Sequence, residues 1–324
     1  MKVKKSTEIL PGLFRLGGKL GDRFFYQYLF VEERTLLVDT GVPPTPEDVI
    51  LPAFREIGLK PSGLDFVLNT HADVDHFGGN RVIKNHASKA VFFAHELDAP
   101  LIENKEKILA ERYGWYSEFG IGYTRETWAW LSESAGVPVR LDVHLAGEMS
   151  LRIGNGRTLK LLHLPGHSAG HMGVYDENED ALVLGDAVLG NGLFNTKMEL
   201  IAPPPYIDVR SYIGSIRKIQ SLKPQHLLAA HYPQFRGADV IKFLNESMSF
   251  VKELRRSILE VLKDNRAGLE LKELLAETSS HVGSFKSFSN ELAASIRAHL
   301  LELEQQKRVG HRGREGKTIW YVIR

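Results

Sequence analysis

The sequence predicts a mixed α/β protein followed by a small helical module, and three observations carry that expectation. Short apolar runs repeatedly end in polar residues able to bind metal; four such side chains, His71, Asp73, Asp75 and His76, fall within six positions; and after Gly237 the pattern turns helical.

Taken in order, residues 24–30 are aromatic and apolar, and 35–38 form a strand that ends at the turn Asp39-Thr40-Gly41. Residues 47–57 follow three prolines with helical spacing and acidic residues in the first turn. Residues 65–69 and 90–94 read as buried strands. Between 97 and 135 the pattern is helical and rich in aromatics, among them Tyr113, Trp115, Tyr116, Tyr123, Trp128 and Trp130. Such an insert packs onto the main body, and its aromatic rings are also suited to line a substrate pocket. Strands resume at 158–162, 181–184 and 227–230. The tail then reads helix to about 262, helix at 269–277, helix at about 289–306, and a hairpin whose turn, 310–316, is basic. Helix, helix, helix, hairpin is the order of a winged-helix module. Two domains are expected, 1–245 and 246–324.

Composition excludes several classes. The formal net charge is +1, so no global field favours nucleic acid or an anionic membrane. With no cysteine there is no disulfide, thiolate ligand or cysteine nucleophile, and any metal must be held by His, Asp and Glu. No stretch reaches the roughly 18 apolar residues of a membrane span. The basic start Met1-Lys2-Val3-Lys4-Lys5 is followed by Ser6-Thr7-Glu8 rather than the apolar core of a signal peptide, and a cytoplasmic protein is expected.

Chemistry concentrates at the strand ends. Alternate residues of an extended segment share a side, so His71, Asp73 and Asp75 can face one space, with His76 brought round by a turn. Gly78-Gly79 allows close approach of the chain. His167, Asp186 and His231 each stand at the end of another expected strand. Singly, each histidine would pass for a hydrogen-bonded core residue. Together the four clusters describe a site at one edge of a sheet.

These residues resemble a known family. Thr70-His71-Ala72-Asp73-Val74-Asp75-His76-Phe77-Gly78-Gly79 is similar to the HxHxDH signature of metallo-β-lactamase-fold hydrolases. Leu164-Pro165-Gly166-His167 resembles their second histidine motif, Leu184-Gly185-Asp186 the bridging aspartate, Ala230-His231 the last histidine, and Val38-Asp39-Thr40-Gly41 the structural aspartate turn. The resemblance covers roughly the first 235 residues and points to the glyoxalase II-like and lactonase-like branches. It implies a four-layer αββα sandwich with two divalent metals: one held by His71, residue 73 and His167, the other by Asp75, His76 and His231, with Asp186 bridging. It further implies hydrolysis by a bridging hydroxide, which Asp75 would help to orient.

One position departs from the pattern. Asp73 stands where the family has its second histidine, which makes the centre more nearly neutral and favours harder ions such as iron or manganese over zinc. His171 and His95 are expected to be structural. Tyr113, Trp115, Tyr116 and Tyr206 are the candidates for contact with substrate. The expected activity is cleavage of an ester, thioester or lactone of a small molecule. The alternatives are a ribonuclease or phosphodiesterase whose tail holds RNA or DNA, and a non-catalytic ligand sensor weakened by Asp73. From residue 250 onward there are 14 basic and 10 acidic residues, but the candidate recognition helix carries Glu291, Glu302 and Glu304. Association as a homodimer is left open.

Overall fold

A computed structural model of the chain describes residues 5–154, 156–283 and 285–323; the basic start, 1–4, lies outside the described residues. Two mixed sheets face each other. The first runs in chain order, β1 (Ser6–Leu10), β2 (Leu13–Leu20), β3 (Arg23–Val31), β4 (Thr35–Val38), β5 (Phe66–Leu68), β6 (Val91–His95) and β7 (Val143–Leu145). The chain then crosses to β8 (Met149–Gly154), β9 (Arg157–His163), β10 (Met172–Asp176) and β11 (Ala181–Gly185). A small pair, β12 (Leu193–Phe194) and β13 (Leu200–Ala202), precedes β14 (His226–Ala229) and β15 (Phe235–Arg236). The second sheet has the order β15-β14-β11-β10-β9-β8.

Strand periodicity sorts the apolar residues into layers. Leu36 and Val38 of β4 and Leu68 of β5 point into the interior between the sheets, where they meet Leu159 and Leu161 of β9, Val183 of β11 and Leu228 of β14. Their neighbours Leu37 and Val67 point the other way, against the helical segments that include Phe54, Ile83 and Leu131. On the far sheet Leu162, Leu182, Leu184 and Leu227 turn outward to cover Tyr212, Ile216 and Ile219 of helix Val209–Leu222. Both faces of the central strands are therefore buried, which is why these strands read as continuous apolar runs. The result is the αββα sandwich.

Asp208 caps helix Val209–Leu222 by accepting from the Ser211 N–H at 2.6 Å. The helix shows the i, i+3, i+7 spacing of buried residues, yet the sequence expectations name no element there; they also omit β2, β10 and the edge strands β1 and β8. The tail contains helices Ala238–Asp264, Leu271–Val282 and Leu292–Gln305 and the hairpin β16 (Val309–Arg314) with β17 (Lys317–Val322), in the expected order. Position 245, the expected boundary, falls inside the first of these helices. One apolar cluster runs without a break from Leu184 and Tyr212 to Leu254, Leu271 and Leu300. Among the described residues no helix is long and apolar enough to cross a membrane.

Candidate metal centre

The site lies where β5, β9, β11 and β14 end at one edge of the sandwich. After Leu68 the chain leaves the sheet, bends at His71 and Ala72, and passes through the extended Asp73 into the short helix Val74–Phe77, which swings His76 back toward His71, their rings 4.0 Å apart. Gly78 and Gly79 are required by close approach: a Cβ at Gly78 would stand 2.0 Å from the Ser134 carbonyl oxygen, and one at Gly79 2.3 Å from that of Thr40.

Each of the four histidines is oriented through its outer nitrogen. His76 Nδ1 donates to Asp39 at 2.8 Å, His71 Nδ1 to the Thr70 hydroxyl at 2.9 Å, His167 Nδ1 to the Pro205 carbonyl at 2.8 Å and His231 Nδ1 to the Phe24 carbonyl at 3.0 Å. That pattern fixes the tautomer and leaves every Nε2 aimed inward, as metal-binding histidines require. Asp39, held at φ 64° in the turn after β4, also accepts from the Thr70 amide at 2.7 Å and the Thr70 hydroxyl at 2.9 Å, so one carboxylate sets two ligands. Asp98 ties the loops together, accepting from Ala72 N at 3.0 Å, Ser168 Oγ at 2.6 Å and Gly170 N at 2.7 Å.

The inward atoms fall into two groups, His71 with His167 and Asp186, and Asp75 with His76 and His231, the ligand atoms of each lying within 4.8 Å of one another. Asp186 Oδ2 stands 3.5 Å from His76 Nε2 and 3.3 Å from His231 Nε2, so the carboxylate sits between the groups. His71 Nε2, His76 Nε2 and Asp186 Oδ1 are buried with no hydrogen-bond partner. Orphaned buried polar atoms are costly, and three converging on one space fit bound cations. Burial alone would raise the Asp186 pKa, but His231 and His76 hold it well below the carboxylate range. His171 is no ligand: burial and the neighbouring His71 keep it neutral, and its Nε2 accepts from the Asp186 amide at 3.0 Å. His95 stacks on His163 at 4.0 Å, away from the centre.

Asp73 adjoins the first group but is held by the insert. Arg112, from the turn Leu109–Tyr113 of the insert, grips it with two hydrogen bonds, Nε to Oδ1 at 2.6 Å and Nη2 to Oδ2 at 2.8 Å, and Tyr113 donates to Oδ1 at 3.1 Å. Oδ2 still lies 2.9 Å from His167 Nε2 and 3.4 Å from His71 Nε2. Burial raises the Asp73 pKa, but the Arg112 charge together with hydrogen bonds from Arg112, His167 and His71 holds it well below the usual carboxylate range. The pair sums to zero, as a neutral histidine would, so the expected loss of positive charge at this corner is offset by a residue that sequence spacing did not single out.

A cavity of about 60 Å³ opens onto Asp73, Asp75, Asp186 and His231. The insert lines it with Tyr113 and Tyr116. Two other candidates do not line it. Tyr206 is fully buried, stacked on Tyr212 at 4.5 Å and bonded to His299 at 2.9 Å. Trp115 stacks on Tyr116 at 4.0 Å but does not line the cavity, and Arg297 lies over its ring. Arg23, Trp130, Phe288 and Glu291 complete the walls instead. Tyr123 donates to Glu291 at 2.9 Å, and burial, reinforced by the charge of Asp73, pushes the Glu291 carboxyl up to about 7. The tail therefore supplies part of the cavity.

A two-sheet sandwich with paired His/Asp ligand groups at one edge defines a metal-dependent hydrolase. A sequence model of the metallo-beta-lactamase superfamily matches residues 21–231, well over half of the chain, which belongs to that superfamily. Among its relatives, the probable metallo-hydrolase YflN of Bacillus subtilis is 24% identical over 251 residues, 74% of this chain and 90% of that protein. The beta-lactamase-like protein 2 homolog of Caenorhabditis elegans is 26% identical over 233 residues, 72% of this chain; the match spans only 63% of that longer protein. A crystal structure of a metallo-beta-lactamase family protein from Thermus thermophilus superposes with a TM-score of 0.75 at 21% identity, covering 98% of this chain and 100% of that one. That likeness concerns the fold and includes the tail.

Proposed function

We propose that this hydrolase cleaves an ester, thioester or lactone of a small molecule with an apolar or aromatic body, at a centre of two divalent metals, zinc or iron. The observation that carries this reading is the cavity, whose ligand groups lie beneath aromatic rings from the insert and the tail. When bound, the metals supply Lewis acidity and an acidified water. His71, His167 and Asp186 would hold one, and Asp75, His76 and His231 with the shared Asp186 the other. Asp75 also faces the cavity, where its carboxylate can accept a hydrogen bond from the attacking water. Tyr113 and Tyr116 exclude bulk solvent from the reacting groups, and burial keeps both phenols protonated at neutral pH.

Charge in the tail supports a small-molecule substrate over RNA. Arg255 pairs with Glu302, Arg256 with Glu253, Lys317 with Glu270 at 2.7 Å and His311 with Glu304 at 2.6 Å, which leaves less basic charge for phosphates. The test combines elemental analysis of the purified full chain with a screen of nitrophenyl esters, acyl thioesters, lactones and bis(nitrophenyl) phosphate. Ester or thioester hydrolysis that is lost to a chelator and restored by a divalent ion is expected. Cleavage confined to the phosphodiester, or to RNA, would contradict the reading.

A further inference from the structure

The least explained feature of the cavity is the ion pair in its wall. Both partners are largely withdrawn from water, with side-chain exposures of 12% for Arg112 and 16% for Asp73. Removing two charges from solvent is unfavourable unless geometry is good, and a histidine at position 73 would need no partner. What the pair provides that a histidine cannot is a fixed cation with spare donors at the mouth of the ligand cluster.

The donor count shows how many are spare. A guanidinium has five N–H groups. Nε and one hydrogen of Nη2 are given to Asp73, and Nη1 gives one to the His167 carbonyl at 3.4 Å. One hydrogen on each Nη remains. The second Nη2 hydrogen lies 3.3 Å from His167 Nε2, a nitrogen whose lone pair is taken up when it is turned to a metal. Arg112 lines the same cavity as Asp75, Asp186 and His231. The Tyr113 hydroxyl, accepting from Val74 N at 3.1 Å while donating to Asp73, clamps the pair to the start of the short helix that carries Asp75 and His76.

We propose that Asp73 acts as a positioning residue for Arg112 rather than as a metal ligand, and that Arg112 is a catalytic residue whose free N–H groups bind the acyl oxygen of the substrate as it becomes anionic. This rests on the hydrolytic reading above and deepens it. Water adds its oxygen to the acyl carbon, and the carbonyl π pair moves onto the acyl oxygen facing Arg112. On collapse that pair re-forms the carbonyl, the bond to the leaving oxygen or sulfur breaks, and the leaving group departs with a proton from the water. Arg112 keeps its protons throughout, because a guanidinium is not deprotonated in proteins.

The test uses the full-length metal-loaded chain and two readouts. In the first, metal content is measured for the wild type, Asp73→Asn and Arg112→Ala, with nitrophenyl acetate kinetics alongside. Both variants should keep the wild-type metal content. Arg112→Ala should lose about 100-fold in kcat with little change in KM, the size of effect seen when one oxyanion donor is removed. Arg112→Lys should recover part of this, and added guanidinium chloride should partly rescue Arg112→Ala. The second readout needs no turnover: calorimetric binding of phenylphosphonate, a tetrahedral anion, should weaken about 10-fold or more in Arg112→Gln. Release of one metal equivalent by Asp73→Asn, or phenylphosphonate affinity unchanged in Arg112→Gln, would overturn the proposal. A wild type that hydrolyses no ester or thioester, yet binds phenylphosphonate through Arg112, would instead sink the hydrolytic reading and leave the anion site standing.

Discussion

Asp75, His76 and His231 form one group of inward ligand atoms, whereas beside His71 and His167, whose rings are held by similar outer hydrogen bonds, the carboxylate–guanidinium pair of Asp73 and Arg112 fills the corner. The two halves share Asp186 and similar apolar support. They differ in the origin of positive charge, which in the second half comes partly from the protein itself. A substitution that looks conservative by ligand type, aspartate for histidine, thus recruits a partner 39 residues away in sequence. The lesson is that charge at a buried site has to be summed over everything that touches it.

Four changes break or sharpen this contrast. The largest effect is expected from Asp186→Ala, because that side chain serves both halves. Metal content should fall in each, and hydrolysis should drop by about 1000-fold or more. Retention of one full metal equivalent with high affinity would show that the halves are independent. Next, Arg112→Met leaves the largely buried Asp73 charge without its cation, and should cost up to about 3–5 kcal/mol in urea unfolding. The double change Asp73→Leu with Arg112→Met should recover most of that loss, because no charge is stranded. Equal destabilisation in single and double variants would mean that the pair is not coupled.

A smaller effect is expected at Asp39, which orients His76 directly and His71 through Thr70. Asp39→Ala should weaken metal binding about 10–100-fold, measured by competition with a chromophoric chelator. The smallest effect is at Glu291. Its carboxyl is raised from 4.5 to about 7 in the folded state, so the folded protein keeps a proton that the unfolded chain gives up. Stability from the neutral form is therefore complete below pH 4.5 and is lost as pH rises through about 7. The thermal midpoint of the wild type should decline by a few degrees over that window, and Glu291→Gln should flatten the decline. A rise of stability over the same range would contradict the buried, neutral carboxyl.

Much of the centre was legible because metal ligands sit at strand ends, and buried strands are marked by apolar runs. His71, Asp75, His76, His167, Asp186 and His231 all converge for that reason. Strands β1, β2, β8 and β10 were harder to see, since edge strands and glycine-bearing runs lack a clean pattern. Helix Val209–Leu222 was legible in principle, from its Asp208 cap and the spacing of Val209, Tyr212, Ile216 and Ile219. Arg112 and Asp98 could not be found by spacing. Each is an ordinary charged residue whose role depends on which loop the fold brings beside it. Trp115 shows the same limit in reverse, because Trp115 and Tyr116 are adjacent on one tight helical turn and only the second faces the cavity. Phe288 and Glu291 belong to the tail, and only the continuous apolar core that seats the tail on the sandwich makes them part of the site.

The claim that one half of the centre carries a protein cation is best tested by a crystal structure of the metal-loaded chain with data at the metal absorption edge. Two anomalous peaks are expected, one among His71, His167 and Asp186 and one among Asp75, His76 and His231, with Asp73 still gripped by Arg112. A structure in which Asp73 has left Arg112 to coordinate a metal would contradict it.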